Sequence, residues 1–353
     1  MAATKVTMKD VADRLGVSIN AVSIVLNNKR GVSEEMRIKI LRAADEMGYI
    51  GKKAKFMRTF SRANLCVMMQ QMYAGDMSFY SKVLYSVVEV AKSNGFDTLM
   101  SFFDDGGMAV PNAVAEHRIG GIIVIGKISD KNIETLQSYG LPLVLVDHAS
   151  LLKTVDSILT DNKLGGFTVT KYLLDKGFQR IGYFGDLDYS LSIQERFFGF
   201  QSALRACGPA PLPFQKIDDY VRRYSLTDHV EAAVRANDSR SIAGRLKAMP
   251  AMPQAFVCSN DYAAISLLAA LQSLGRRVPE DVSLVGFDNI DICERVTPKL
   301  TTVNVNKETM GKRAVQRIQH LIAHRNSKPE NTVMSVELIE RDSVRLPPAA
   351  VPV

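Results

Sequence analysis

The residues best placed to do chemistry lie in one short stretch, Ile19-Asn-Ala-Val-Ser-Ile-Val-Leu-Asn27. Read as a helix, it turns Val22, Val25 and Leu26 inward, with Ala21 at the edge. Ile19, Asn20, Ser23, Ile24 and Asn27 are left facing outward. Ser23 and Asn27 can hydrogen-bond phosphate oxygens and so fix a register. Asn20 can form two hydrogen bonds with one adenine. Exposed isoleucines read no hydrogen-bond pattern, but Ile19 and Ile24 suit a thymine methyl. The competing role for Ile24 is that of a core residue on a slightly rotated helix. Taken together, this is the chemistry of a surface that reads double-stranded DNA.

Such a face needs a first helix and a tight turn to hold it in a groove. Thr7-x-x-Asp10 is a capping box, so a helix starts near Met8 and buries Val11, Ala12 and Leu15. Gly16 ends that helix and Ser18 caps the next. Ser33 caps a third helix running to about Met47, with Ile38, Leu41, Ala44 and Met47 as its expected buried stripe. The charge map agrees with a polyanion partner. Residues 1–62 hold 13 basic and 6 acidic side chains, so the whole net charge of +7 sits in that segment. A compact cationic segment gains affinity by releasing counterions from neutralised phosphates.

The rest of the 353 residues has room for two further domains. Short apolar runs alternate with helical stretches. The expected strands are Leu65–Met69, Thr98–Phe103, Gly121–Ile125, Leu143–Val146, Arg180–Phe184, Ala255–Cys258 and Ser283–Phe287. Helix-like stretches between them include Tyr80–Ser93, Gly165–Lys176, Arg196–Ala206 and Tyr262–Leu274. The alternation argues parallel sheets covered by helices on both faces, with a cleft at the carboxyl ends of the strands. An enzyme is disfavoured: there is no G-x-S-x-G elbow, P-loop, G-x-G-x-x-G after the first strand or His/Cys metal spacing. Cys66, Cys207, Cys258 and Cys293 are widely spaced, so neither a disulfide framework nor a metal site is expected, and no cofactor. The polar N-terminus and the lack of a long apolar run point to a cytoplasmic chain with no membrane partner.

Asp10-Val-Ala, Gly16-Val-Ser18, Ala21-Val-Ser23, Val25-Leu-Asn27, Val32-Ser33 and Gly48-Tyr49-Ile50 resemble the head of the lactose-repressor/galactose-repressor family of bacterial transcription regulators. The family pattern is T-V-S-R-V-L-N. Here Ala21 stands for the threonine and Ile24 for the basic residue, so the operator should differ from the usual one. The resemblance also implies a hinge whose leucine wedges into the minor groove. This chain reads Tyr49-Ile-Gly-Lys-Lys-Ala-Lys-Phe-Met-Arg-Thr59, which puts Arg58 at the leucine position. Met57 or Phe56 can supply the wedge if the register slips; Arg58 can instead enter a narrow minor groove by charge. The expected DNA-contacting set is Thr7, Ser18, Ile19, Asn20, Ala21, Ser23, Ile24, Asn27, Tyr49, Met57 and Arg58.

Val282-Ser-Leu-Val-Gly-Phe-Asp-Asn289, Thr297-Pro-Lys-Leu-Thr-Thr-Val303, Asp161-Asn-Lys-Leu-Gly-Gly166, Lys176-Gly-Phe178 and Ser259-Asn-Asp261 resemble the same family's regulatory core. That implies a two-lobed α/β core like periplasmic sugar-binding proteins, behind a small all-α helix-turn-helix domain. It also implies effector contacts at Asp288, Arg196, Asn260 and Asp147, and ring contacts at Phe79, Tyr80 and Tyr220. The expected layout is a head at 1–50 and a hinge at 51–62. One lobe takes 63–160 plus 290–322, the other 161–289 plus 323–346, and 347–353 is a tail. The implied partners are a near-palindromic operator, a small effector of sugar type and a second copy of the chain. The proline-containing tail, without the leucine heptads of tetrameric members, favours a dimer. Arg235-Ala-Asn-Asp-Ser-Arg240 reads as an inserted loop with no assigned role.

Overall fold

The computed structural model describes residues 6–26, 31–47, 49, 64–73, 78–104, 107–116, 118–208 and 211–345. The head is built from α1 (Met8–Leu15), α2 (Ile19–Leu26) and α3 (Glu34–Glu46). Thr7 and Asp10 close the capping box, and Gly16 ends α1 at φ 65°, a left-handed conformation open to glycine. Ser18 Oγ accepts from Ala21 N at 3.1 Å and starts α2. Val11, Ala12, Val22, Val25, Ile40, Ala43 and Ala44 form the head core. Of the expected stripe of α3, Ala44 is buried and Met47 packs on the core, but Leu41 is exposed and Ile40 and Ala43 face inward; the side chain of Ile38 lies outside what the structure describes. Helix α3 packs against two helices at once, so its inner face is broader and rotated from a single-stripe reading.

Two sheets follow. The first contains β1 (Asn64–Gln70), β2 (Asp97–Phe103), β3 (Gly121–Ile125), β4 (Leu143–Val146), β5 (Asp156–Thr160) and, from far downstream, β10 (Asn331–Met334). Its order is β10-β5-β4-β3-β1-β2, all parallel. The second contains β6 (Ile181–Phe184), β7 (Ala255–Cys258), β8 (Ser283–Asp288), β9 (Thr301–Asn304) and β11 (Glu337–Ile339). Its order is β11-β9-β8-β7-β6, with only β11 antiparallel. Helices α4 (Tyr80–Ser93), α5 (Asn112–Ala115), α6 (Asp130–Ser138) and α13 (Lys307–Ala323) serve the first sheet. Helices α7 (Asn162–Asp175), α8 (Leu191–Ala206), α9 (Ile217–Tyr224), α10 (Glu231–Arg235), α11 (Ser239–Ala248) and α12 (Asp261–Ser273) serve the second. Strands β1, β3, β4, β6, β7 and β8 are near-continuous buried runs because both faces are covered, whereas the edge strands β2 and β10 are partly exposed.

All seven expected strands are present. The lobe boundaries differ from the expected ones at two crossings. The first crossing, between Thr160 and Asn162, lies where expected. The second follows β9, which pairs with β8, so it falls after Asn304 rather than at 290. The third separates β10, paired with β5, from β11, paired with β9, so it falls after Met334 rather than at 323. The strand ending at Asp288 is not the last of its lobe, which is why a boundary placed there came too early. Among the described residues no helix is long and apolar enough to cross a membrane, and no His/Cys/Asp/Glu group could hold a metal. Cys66, Cys258 and Cys293 are buried free thiols, and Cys207 is partly exposed.

Candidate functional site

The described part of the outward set, Ile19, Asn20, Ser23 and Ile24, lies on α2. Ile19 is 48 % exposed and Asn20 is also exposed, while Ala21, Ser23 and Ile24 are half-buried. Ile24 leans over Gly31, whose Cβ, if present, would sit 3.7 Å from its Cδ1. It thus combines a packing role with a partly open flank. Thr7 and Ser18 spend their hydroxyls on caps, at Asp10 N and Ala21 N. Tyr49 packs on the head core, its N–H donating to Ala44 O at 2.9 Å. Asn27, Met57 and Arg58 lie outside the described residues. An ion pair of 2.7 Å between Arg14 and Glu46 fastens α1 to α3.

A second site lies between the lobes, a cleft of about 470 Å³. Six of the seven expected effector residues line it: Phe79, Tyr80, Asp147, Arg196, Asn260 and Asp288. Asp147 directly follows β4 and Asp288 ends β8, with φ of 59° and 107°, a strained backbone of the kind that clusters at functional sites. Buried Arg196 is the hub. Its Nε donates to Asn162 Oδ1 at 2.9 Å and its Nη1 to Ser259 O at 2.6 Å. Its Nη2 faces Asp288 Oδ1 at 3.2 Å, and the guanidinium lies 3.7 Å from the centre of the Phe287 ring. Close helix packing puts Arg196 there: a Cβ on Gly166 would lie 2.0 Å from its carbonyl oxygen. Behind it, Asp261 accepts from Thr302 Oγ1 at 2.6 Å and Ile290 N at 3.0 Å. Burial, then the charge of Asp288, holds the Asp261 carboxyl above the usual carboxylate range.

On the other lobe Tyr80 donates to Asp147 Oδ2 at 3.1 Å, and its ring lies 4.2 Å from that of Tyr73. Burial raises the Asp147 carboxyl to about 6; Arg196 opposes the shift and Asp288 adds to it. The folded chain therefore holds this proton above the pH where the unfolded chain releases it. Stability from this group is lost as pH rises from 4 through 6. Asp147→Asn is expected to flatten the pH dependence of ligand-free stability between pH 4 and 6.5, removing a change on the order of 1–3 kcal/mol. Equal pH slopes in both proteins would show that the carboxylate is hydrated.

Tyr220 is a correction: it does not line the cleft. Its hydroxyl accepts from Ile181 N at 2.8 Å and donates to Gln179 O at 3.1 Å, which fastens α9 to the edge of β6. The cleft also takes residues that sequence reasoning missed: Lys127, Asn162, Ser190, Ser192, Glu195, Glu231, Arg235 and Asn237. The signal for the serines was a helix start: Ser190 accepts from Ile193 N and caps α8, five residues before the expected helix began. Arg235 and Asn237 come from the supposed loop, which is instead the end of α10, a turn at 236–238 and the start of α11.

A helix-turn-helix head joined to a two-lobed ligand cleft defines a ligand-responsive transcription regulator, not an enzyme. Residues 7–51 match the model of bacterial regulatory proteins of the lacI family, and residues 170–344 that of a periplasmic binding protein-like domain. The head is thus similar to the lacI family of bacterial regulators and the core to a periplasmic binding protein-like domain. It is 29 % identical over 347 residues to the HTH-type transcriptional repressor PurR of Vibrio parahaemolyticus, covering 96 % of this chain and 98 % of that one. The PurR repressor of Mannheimia succiniciproducens is 27 % identical with the same coverage. Among solved structures, the regulator CelR in complex with cellobiose matches with TM-score 0.66 at 23 % identity, over 96 % of this chain and 99 % of that one. A lacI-family regulator of Enterococcus faecium with bound ribose matches with TM-score 0.67 at 22 % identity, over 80 % and 99 %.

Proposed function

We propose that the chain is a cytoplasmic repressor, acting as a homodimer on a near-palindromic operator, and that a sugar or sugar derivative in the cleft sets its operator affinity. The observation that carries the effector class is the Arg196–Asp288 pair at the strand ends. The carboxylate accepts from vicinal hydroxyls and the guanidinium beside it donates to them. The aromatic faces of Phe79 and Tyr80 suit the CH face of a sugar ring. Solved regulators of similar fold, one with cellobiose and one with ribose, support the same class. A nucleobase is the second reading, favoured by the close Tyr73–Tyr80 ring pair, which suits a flat ligand.

The effector acts by preferring one arrangement of the lobes, since equal affinity for both would shift nothing. On the DNA side, Ile19 and Ile24 contact thymine methyls, Asn20 reads adenine, and Ser23 and Asn27 hold phosphates, flanked by Thr7, Ser18, Ala21 and Tyr49. Met57 or Arg58 enters the minor groove. A thermal-shift screen of sugars against nucleobases tests the effector class; a ligand at 100 times its Kd adds about 2.7 kcal/mol. Stabilisation by nucleobases alone would remove the sugar reading. For DNA, six to ten phosphate contacts predict a loss of about 10³–10⁵ in affinity between 50 and 200 mM salt. Removing residues 1–60 should abolish duplex binding and spare effector binding. A salt-independent affinity would sink the head assignment.

A further inference from the structure

The segment from Val230 to Asn237 has no role in the sugar-binding pair described above, yet Glu231, Val234, Arg235 and Asn237 all line the cleft. It is a built wall. Val230 and Val234 are buried, and Glu231 N donates to Asp186 Oδ2 at 3.5 Å. Arg245 Nη2 clamps the segment's entry through Asp228 O at 2.9 Å and Asp228 Oδ1 at 2.7 Å. Its exit turns at Asn237, φ 51°, where Asp238 N donates to Ala233 O at 2.8 Å and Asp238 caps α11.

The chemistry of this wall repeats that of the inner site. Arg196 and Asp288 form a buried guanidinium–carboxylate pair with side chains 6 % and 14 % exposed. Glu231 and Arg235 are a second carboxylate and guanidinium, at the open side, where Arg235 and Asn237 are exposed. The charge of Arg235 acts on the Glu231 carboxyl, against the effect of burial. Each set offers both donors and acceptors, one carboxylate and one guanidinium. That suits a neutral hydroxylated ring, not a strongly charged ligand. A cleft of about 470 Å³ holds both sets within one cavity.

We propose that Glu231, Arg235 and Asn237 form an outer saccharide subsite, so that the effector is a neutral two-ring saccharide and this wall selects it by length. The proposal rests on the sugar reading above. Its test is calorimetry on the full-length protein with cellobiose, lactose, maltose, sucrose and trehalose, against glucose, galactose and fructose, with guanine and hypoxanthine alongside. One disaccharide is expected to bind at least about tenfold more tightly than its component monosaccharides, as one or two hydrogen bonds to charged groups supply. Arg235→Ala and Glu231→Gln are expected to erase that preference and leave monosaccharide affinity unchanged, which also shows that the variants fold.

Equal affinity for disaccharide and monosaccharide overturns the outer subsite alone. So does equal weakening of both by the wall variants. Binding of a nucleobase in place of any saccharide, lost in Asp288→Asn, overturns the sugar reading beneath it. No binding by any member of the panel overturns both.

Discussion

Asp288→Asn is expected to lower effector affinity by at least a hundredfold while leaving operator binding in place. The carboxylate ends β8 at the floor of the cleft, 3.2 Å from Arg196 Nη2. Two hydrogen bonds from vicinal hydroxyls to a charged acceptor are worth about 1.5–3 kcal/mol each; asparagine loses one, and keeps the other only to a neutral oxygen, which together costs about 10²–10³ in affinity. Asparagine is the informative choice because the backbone there has φ 107°, which alanine would strain. Operator affinity, read by fluorescence anisotropy on a duplex selected from a random pool, should stay close to wild type. Calorimetry with the ligand from the screen gives the other half. Unchanged effector affinity would remove Asp288 from the site. A further distinction follows from linkage. If saturating effector still shifts operator affinity by the wild-type factor, Asp288 only binds. If it no longer does, Asp288 also helps distinguish the two lobe arrangements.

Much of this protein was legible because its signals are local. The capping box at Thr7–Asp10, Gly16 and Ser18 fix the first two helices within one or two residues, since caps act over a single turn. The buried parallel strands read as short apolar runs bounded by polar turns, and the strand ends at Asp147 and Asp288 followed directly. What was not legible depends on distant pairing. Strand β10 alternates partly buried and exposed residues at the edge of its sheet and carries no strong apolar run, so only its pairing with β5 reveals its lobe. Tyr220 looked like a ring for a ligand; whether its hydroxyl meets a sugar or the edge of β6 is decided by where α9 docks. Arg235 and Asn237 were set aside as loop, because polar residues on a surface turn and polar residues on a cleft wall have the same composition.

The largest stability effect is expected at Arg196. Arg196→Leu should lower the Tm of the ligand-free protein by roughly 10 °C, taking 3–5 kcal/mol for a broken buried pair and about 2–4 °C per kcal/mol in a domain of this size. The guanidinium serves three elements at once: Asn162 on α7, the Ser259 carbonyl after β7, and Asp288 on β8. Leucine fills part of the volume over Phe287 but removes the guanidinium that faces the Asp288 carboxylate. Lysine would not rescue it, because a single ammonium cannot reproduce the planar fork. The double variant Arg196→Leu with Asp288→Gly separates the two contributions. Glycine accepts φ 107° without strain and removes that carboxylate. The double variant should regain at least half of the lost Tm and still bind no effector. A single variant within about 2 °C of wild type would mean that Arg196 is free to leave its partners, a ligand group only and no part of the scaffold that holds the cleft.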